Sequence, residues 1–241
     1  MISYLFNEIF YRPLFNGLIF LYNIIPIHDI GISIIVLTIV IRLILWPLTT
    51  KSIKNQKTLT QIQPKIEEIR RKFKSNREVQ AKALMELYSE HKINPLAGFL
   101  PILIQIPIII ALWRVFLSSI NFNASFLYSF IKAPDSIQAV FLGLIDLSQK
   151  SVVLVIAAGI LQYFQAKMIM PPAKATEGKP AGNPDFSRVM SKQMLYLAPV
   201  LSVVIFWSLP AALSLYWVVF NILLILQQYF TRYDNGELKK N

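Results

Sequence analysis

The 241-residue sequence contains no cysteine. That excludes a disulfide framework, a thiolate zinc site, a cysteine nucleophile and a lipid-attached cysteine within this chain. Histidine is almost as scarce, with His28 and His91 the only two. Acidic residues number 13 against 24 Lys and Arg, a net charge of +11. The H-E-x-x-H, G-x-x-x-x-G-K-[ST] and G-x-S-x-G patterns are all missing, which argues against a zinc peptidase, a P-loop ATPase and an α/β-hydrolase. No tract is low in complexity and no repeat of fixed period occurs. The chain is not expected to be an enzyme, and no cofactor or metal is expected.

What the chain has instead is apolar length. Hydrophobic residues make up 55% and charged residues 15%, with a mean hydropathy of +0.51, the composition of an integral membrane protein. Its centre is Ile30–Pro47, IGISIIVLTIVIRLILWP, with Pro47 marking the end region of the helix and Asp29 placed to cap its start. At ~1.5 Å per residue, Ile30–Leu48 is about 28 Å long and matches a ~30 Å hydrocarbon core. One full charge, Arg42, lies well inside this run. An arginine there costs about 2.5–3.5 kcal/mol on insertion scales, so it is either hydrated, snorkelling to the nearer interface, or used. Thr38, Arg42 and Thr49 recur at i, i+4 and i+11 and share one helix face, which points to a wet cavity.

The remaining chain divides by composition into an all-α membrane protein with five spans. Residues 1–28 read as an external interfacial helix, with a sixth span as the alternative; 29–50 is the first transmembrane helix. Residues 51–95 form a charged helical hairpin; Lys51–Lys92 holds eleven basic and five acidic residues. Leu59, Ile62, Ile66, Ile69 and Phe73 make its first apolar stripe. Ser75-Asn76-Arg77-Glu78 fits a capping box for its second helix, from which Val79, Ala83, Leu87 and Tyr88 face that stripe. Lys65, Arg70, Arg71 and Lys72 supply a basic contact surface. Further spans are expected at 96–118 (with Gly98, Pro101 and Gln105 on one face), 151–170, 193–209 and 210–230. An external loop covers 119–150, and a loop at 171–192 and a tail at 231–241 join the hairpin on the cytoplasmic side. The neutral loop and the basic segments thus separate, as the positive-inside rule requires. Apart from Asp29, the cap at the edge of the first span, none of the five spans contains Asp or Glu, so Arg42 has no carboxylate partner inside the membrane. Ser214, Trp217, Asn221 and Gln228 share one face of the last span; with Gln105 and Gln162 they offer polar groups either to a cavity around Arg42 or as glue between helices.

Four stretches carry a resemblance: IVIRLILWPLTTKS (39–52), QPKIEEIRRKF (63–73), INPLAGFLPILIQIPIIIALW (93–113) and LPAALSLYWVVFNILLILQQY (209–229), with IDLS (145–148) before the third span. In this order and spacing the chain resembles the YidC/Oxa/Alb membrane protein insertases over about residues 31–229. The resemblance implies a five-helix core with a hydrophilic groove open to cytoplasm and lipid, and insertion of membrane proteins without nucleotide hydrolysis, alone or beside the Sec translocon. It places the groove arginine on Arg42, with Gln162 and Trp217 lining the groove. With Thr38, Gln105 and Asn221 added from the polar helix faces, the expected substrate groove is Arg42, Thr38, Gln105, Gln162, Trp217 and Asn221. The implied partners are newly made membrane proteins, anionic lipids, and the ribosome and Sec translocon in a bacterial cell membrane. The short tail puts tail-mediated ribosome binding in doubt. The alternatives are a small-solute transporter or channel and a non-catalytic assembly scaffold. Against the transporter stands the lack of any intramembrane acid.

Overall fold

A computed structural model describes residues 2–94, 100–120, 124–169 and 186–234. The expected face partner Gly98 and residues 170–185 lie outside the described residues; 186–192, expected in the loop, instead belong to the helix Phe186–Trp207.

Asp29 opens the longest helix. Its backbone is extended and its Oδ1 accepts from the N–H of Gly31 at 2.7 Å and of Ile32 at 3.1 Å, satisfying two donors that a helix start leaves free. This helix, α3, runs Ile30–Gln61. Pro47 does not end it, contrary to the sequence reading. Proline withdraws one N–H, the partner of the Leu43 carbonyl, and the following turn is held by Thr49, whose hydroxyl lies 2.9 Å from the Leu45 carbonyl and 3.1 Å from that of Trp46. The break comes at Ile62, because Pro64 stands in the first turn of the next helix and cannot donate backward.

That helix, α4 (Gln63–Lys72), folds back on α5 (Arg77–Glu90). Ile62, Ile66, Leu87 and Ile93 are buried together, with Leu59, Ile69, Leu84 and Tyr88 around them. The Gln80 amide donates to the Arg70 carbonyl at 3.0 Å and ties the two helices. Two details differ from expectation. Asn76, not Ser75, caps α5 by accepting from the Val79 N–H at 3.1 Å; Val79, in the first turn, is exposed, and Leu84 packs against the cluster.

The N-terminal segment is helical throughout: α1 (Ile2–Phe6), a π-helical turn (Asn7–Tyr11) and α2 (Arg12–Ile24). Tyr11, Phe15, Leu18, Ile19 and Tyr22 make one buried face, packed with Ile30, Ile34 and Leu37 of α3. Its polar groups bind the segment 126–138. Buried Asn16 donates to the Phe126 carbonyl at 2.9 Å and accepts from the Tyr128 N–H at 2.7 Å. Asn23 donates to the Lys132 carbonyl at 2.7 Å.

Four more helices complete the bundle: α6 (Leu100–Ile120), α7 (Val152–Ile169), α8 (Phe186–Trp207) and α9 (Ala211–Asp234). Gly159 lets α7 and α8 approach closely; a methyl there would fall 2.6 Å from the Val203 side chain. On α6, Ile108, Leu112, Val115 and Phe116 are buried while Leu103, Ile106, Ile110, Trp113 and Leu117 are exposed. A helix apolar on both faces suits lipid on one side and protein on the other. Among the described residues two helices are long and apolar enough to cross a membrane, α3 and Ala211–Thr231 of α9; α6, α7 and α8 carry shorter apolar stretches.

The segment 124–150 closes one end of the bundle. Its strands β1 (Val140–Phe141) and β2 (Ile145–Asp146) pair antiparallel, Val140 opposite Asp146 and Phe141 opposite Ile145. Phe141 lies directly over Gly31, where a Cβ would collide with its ring. The carbonyls of Leu147 and Gln149 accept from the N–H groups of Ala212 and Ala211 at 3.0 and 2.7 Å. The carboxylate of Asp146, in the IDLS stretch, accepts from the Ser148 hydroxyl at 2.5 Å and its N–H at 2.9 Å, and these bonds hold its pKa below the usual carboxylate range. The segment therefore gathers the starts of α3, α7 and α9. The α4/α5 pair follows the opposite end of α3.

Candidate functional site

Two parallel helices build the site. Thr38, Arg42 and Thr49 of α3 repeat at i, i+4, i+11, and Tyr216, Phe220 and Gln227 of α9 repeat at the same spacing. Their registers match: the Arg42 guanidinium lies over the Phe220 ring, 4.9 Å from its centroid, and Thr49 bonds Gln227, both with an offset of 178 residues. Arg42 Nη2 donates to Gln227 Oε1 at 2.6 Å. Arg42 is only 3% exposed and Gln227 0%, so the contact is made away from bulk water. The guanidinium thus turns to α9 and does not snorkel.

The energetics explain why the charge is tolerated. The membrane cost is about 2.5–3.5 kcal/mol. A hydrogen bond from a charged donor returns about 1.5–3 kcal/mol and a desolvated cation–π contact about 2. These terms balance without a counter-ion. Among the described residues no carboxylate lies within 4 Å of Arg42, and its Nε is buried without a partner. The positive charge is held but not neutralised.

The other sequence-derived candidates converge on α9 without forming one hydrogen-bonded set. Gln105 donates to the Tyr216 hydroxyl at 2.6 Å. Gln162 Oε1 accepts from Trp217 Nε1 at 2.9 Å and from the Ser202 hydroxyl, joining α7, α8 and α9. The rings of Tyr216, Trp217 and Phe220 link these groups; Trp217 and Phe220 stack at 5.1 Å and 13°. Thr38 donates to the Ile34 carbonyl at 2.6 Å and Asn221 to the Trp217 carbonyl at 2.7 Å, each within its own helix. Lys65, Arg70, Arg71 and Lys72 are all exposed on α4, remote in sequence and structure from this cluster.

The sequence family described as 60Kd inner membrane protein matches residues 20–238. This chain belongs to the YidC/Oxa/Alb family. Among its YidC/Oxa/Alb relatives, a membrane protein insertase YidC of Fusobacterium nucleatum is 35% identical over 205 residues, 85% of this chain and 86% of that one. The protein of the same name from Geobacter metallireducens is 35% identical over 221 residues, but the chain spans only 36% of its length. The crystal structure of an active YidC insertase with its first transmembrane domain resolved superposes with a TM-score of 0.59 at 26% identity, over 91% of this chain and 46% of that one. The chain is accordingly a helical membrane protein.

Within this YidC/Oxa/Alb chain the residue that sequence reasoning missed is Gln227. Gln228 is also buried, but its Oε1 has no partner. Gln228 stands fourteen residues from Ser214, whereas Gln227 stands eleven from Tyr216. A helix drifts about 20° per heptad, so an eleven-residue step keeps one face better than two heptads do. Matching the i, i+4, i+11 pattern of α3 against α9 singles out Gln227 once the register between the two helices is known.

Proposed function

We propose that this chain inserts and folds membrane proteins, the activity for which its YidC relatives are named, by drawing acidic or polar segments of a client toward Arg42 in a groove open to cytoplasm and lipid, without hydrolysing nucleotide. The observation that carries this reading is the positive charge of Arg42, retained inside the bundle with no carboxylate within 4 Å among the described residues. A fixed, poorly solvated cation attracts anionic segments more strongly than the same charge in water. In this reading α3, α6, α7, α8 and α9 cross the membrane, the segment 124–150 is external and the basic α4/α5 pair is cytoplasmic, meeting clients, anionic lipid, the ribosome and the Sec translocon. The separation of neutral and basic segments to opposite ends of α3 supports that orientation.

Liposomes carrying the purified chain are expected to insert a single-span client with an acidic translocated segment in the absence of nucleotide. Clients left fully accessible to external protease would refute the activity. In the same assay, deletion of Glu67–Ser89 should lower insertion while the bundle still melts cooperatively, because α4 and α5 bury their apolar residues chiefly against each other. Full insertion by the deleted protein would reduce the pair to a topogenic loop. Orientation is tested separately: Lys82→Cys is expected to react only from the cytoplasmic side and Ser136→Cys only from outside, with no native cysteine to interfere. Labelling of Lys82→Cys from outside would invert the topology.

A further inference from the structure

We infer that Gln227 is the positioning residue of Arg42, holding the guanidinium with a neutral acceptor that an acidic client segment then replaces. The inference rests on the insertase reading and names the part of the groove that keeps the charge usable. Its basis is the orientation of one amide. Gln227 Nε2 lies 3.1 Å from the Trp46 carbonyl, 2.8 Å from Thr49 Oγ1 and 2.9 Å from Thr50 Oγ1. A backbone carbonyl only accepts, so the NH2 of the amide must face α3 and the oxygen is turned to Arg42 Nη2, 2.6 Å away.

The consequence is electrostatic. An amide oxygen satisfies one guanidinium donor but carries no net charge, so the field of Arg42 persists at the bundle. A carboxylate in the same place would fix the arginine equally well and cancel that field. Arg42 has donors to spare, since Nε is buried without a partner. A client carboxylate therefore competes with Gln227 Oε1 on favourable terms, because both bonds share the charged guanidinium donor but only the carboxylate adds the attraction of a full opposite charge.

The test compares Gln227→Glu with Gln227→Leu, using reconstituted insertion of matched single-span clients with acidic or neutral translocated segments and parent and Arg42→Ala as controls. Gln227→Glu is expected to lower insertion of acidic clients about tenfold, toward the Arg42→Ala level, and of neutral clients by a much smaller factor, so that the acidic-to-neutral ratio falls. Gln227→Leu, which frees the guanidinium but keeps its charge, is expected to slow both clients alike and preserve their ratio. In detergent, the glutamate variant should melt above the leucine variant, because a buried cation gains a counter-ion. Equal effects of the two variants on both clients, or a glutamate variant less stable than the leucine one, would overturn the inference. Failure of the insertase reading looks different: neither parent nor Arg42→Ala discriminates clients by charge, while the melting order of the two Gln227 variants still reports the pairing.

Discussion

Arg42→Ala is expected to abolish the preference of this chain for clients with acidic translocated segments, and Arg42→Glu to reverse it. Arg42→Lys should keep much of the activity, since it retains the charge while losing the planar stack on Phe220. The size follows from the environment. Two unit charges at 4 Å interact by about 1 kcal/mol in water and about 4 kcal/mol at an effective dielectric near 20. A groove that admits a client is partly wet, so a discrimination of about 1–3 kcal/mol is expected, roughly five- to two-hundredfold in rate. The measurement is insertion against client charge at matched protein levels. A snorkelling arginine predicts the opposite sign, with alanine harmless or stabilising because an expensive charge is removed. The bond to buried Gln227 and the position over Phe220 favour the first outcome. Parent-like insertion of acidic clients by Arg42→Ala would remove the charge from the mechanism.

The largest loss of stability is expected at Asp29. Its carboxylate holds three backbone N–H groups: Gly31 and Ile32 at the start of α3 through Oδ1, and Leu142 through Oδ2 at 2.7 Å. Leu142 has φ +50°, a conformation that costs an ordinary residue about 1–2 kcal/mol, and Asp29 holds the turn in place. Asp29→Ala removes the cap and leaves the Leu142 N–H without its acceptor, a combined cost of about 2–4 kcal/mol. Asp29→Asn keeps one acceptor oxygen but presents an NH2 where the other stood, so it should recover about half of the loss. The check is the melting temperature of the two variants in detergent, with proteolysis within 124–150 as a local readout. An alanine variant that melts with the parent would show that the β1/β2 segment needs no anchor on α3.

Much of this was legible before any coordinates. The cap at Asp29 could be read because capping is local: one side chain answers N–H groups two and three residues on. The pairing of α4 with α5 was legible from two short apolar stripes. Its details were not, since Asn76 and Ser75 are comparable caps and the stripe does not say whether a first-turn residue such as Val79 reaches the partner helix. Pro47 misled because a proline inside a long helix withdraws only one N–H, and α3 continues through it to Gln61.

The sequence by itself determined the membrane class, the family, the separation of basic from neutral segments and the presence of Arg42 well inside the apolar run Ile30–Pro47, which holds no acid. These follow from composition, charge order and periodicity, which are properties of the chain taken a window at a time. The tertiary structure alone decided which polar groups meet. It set Gln227 rather than Gln228 against Arg42, left Thr38 and Asn221 bonded within their own helices, and laid residues 124–150 over the starts of α3, α7 and α9. Such pairings depend on the register between helices 178 residues apart, and nothing in either helix alone encodes that offset.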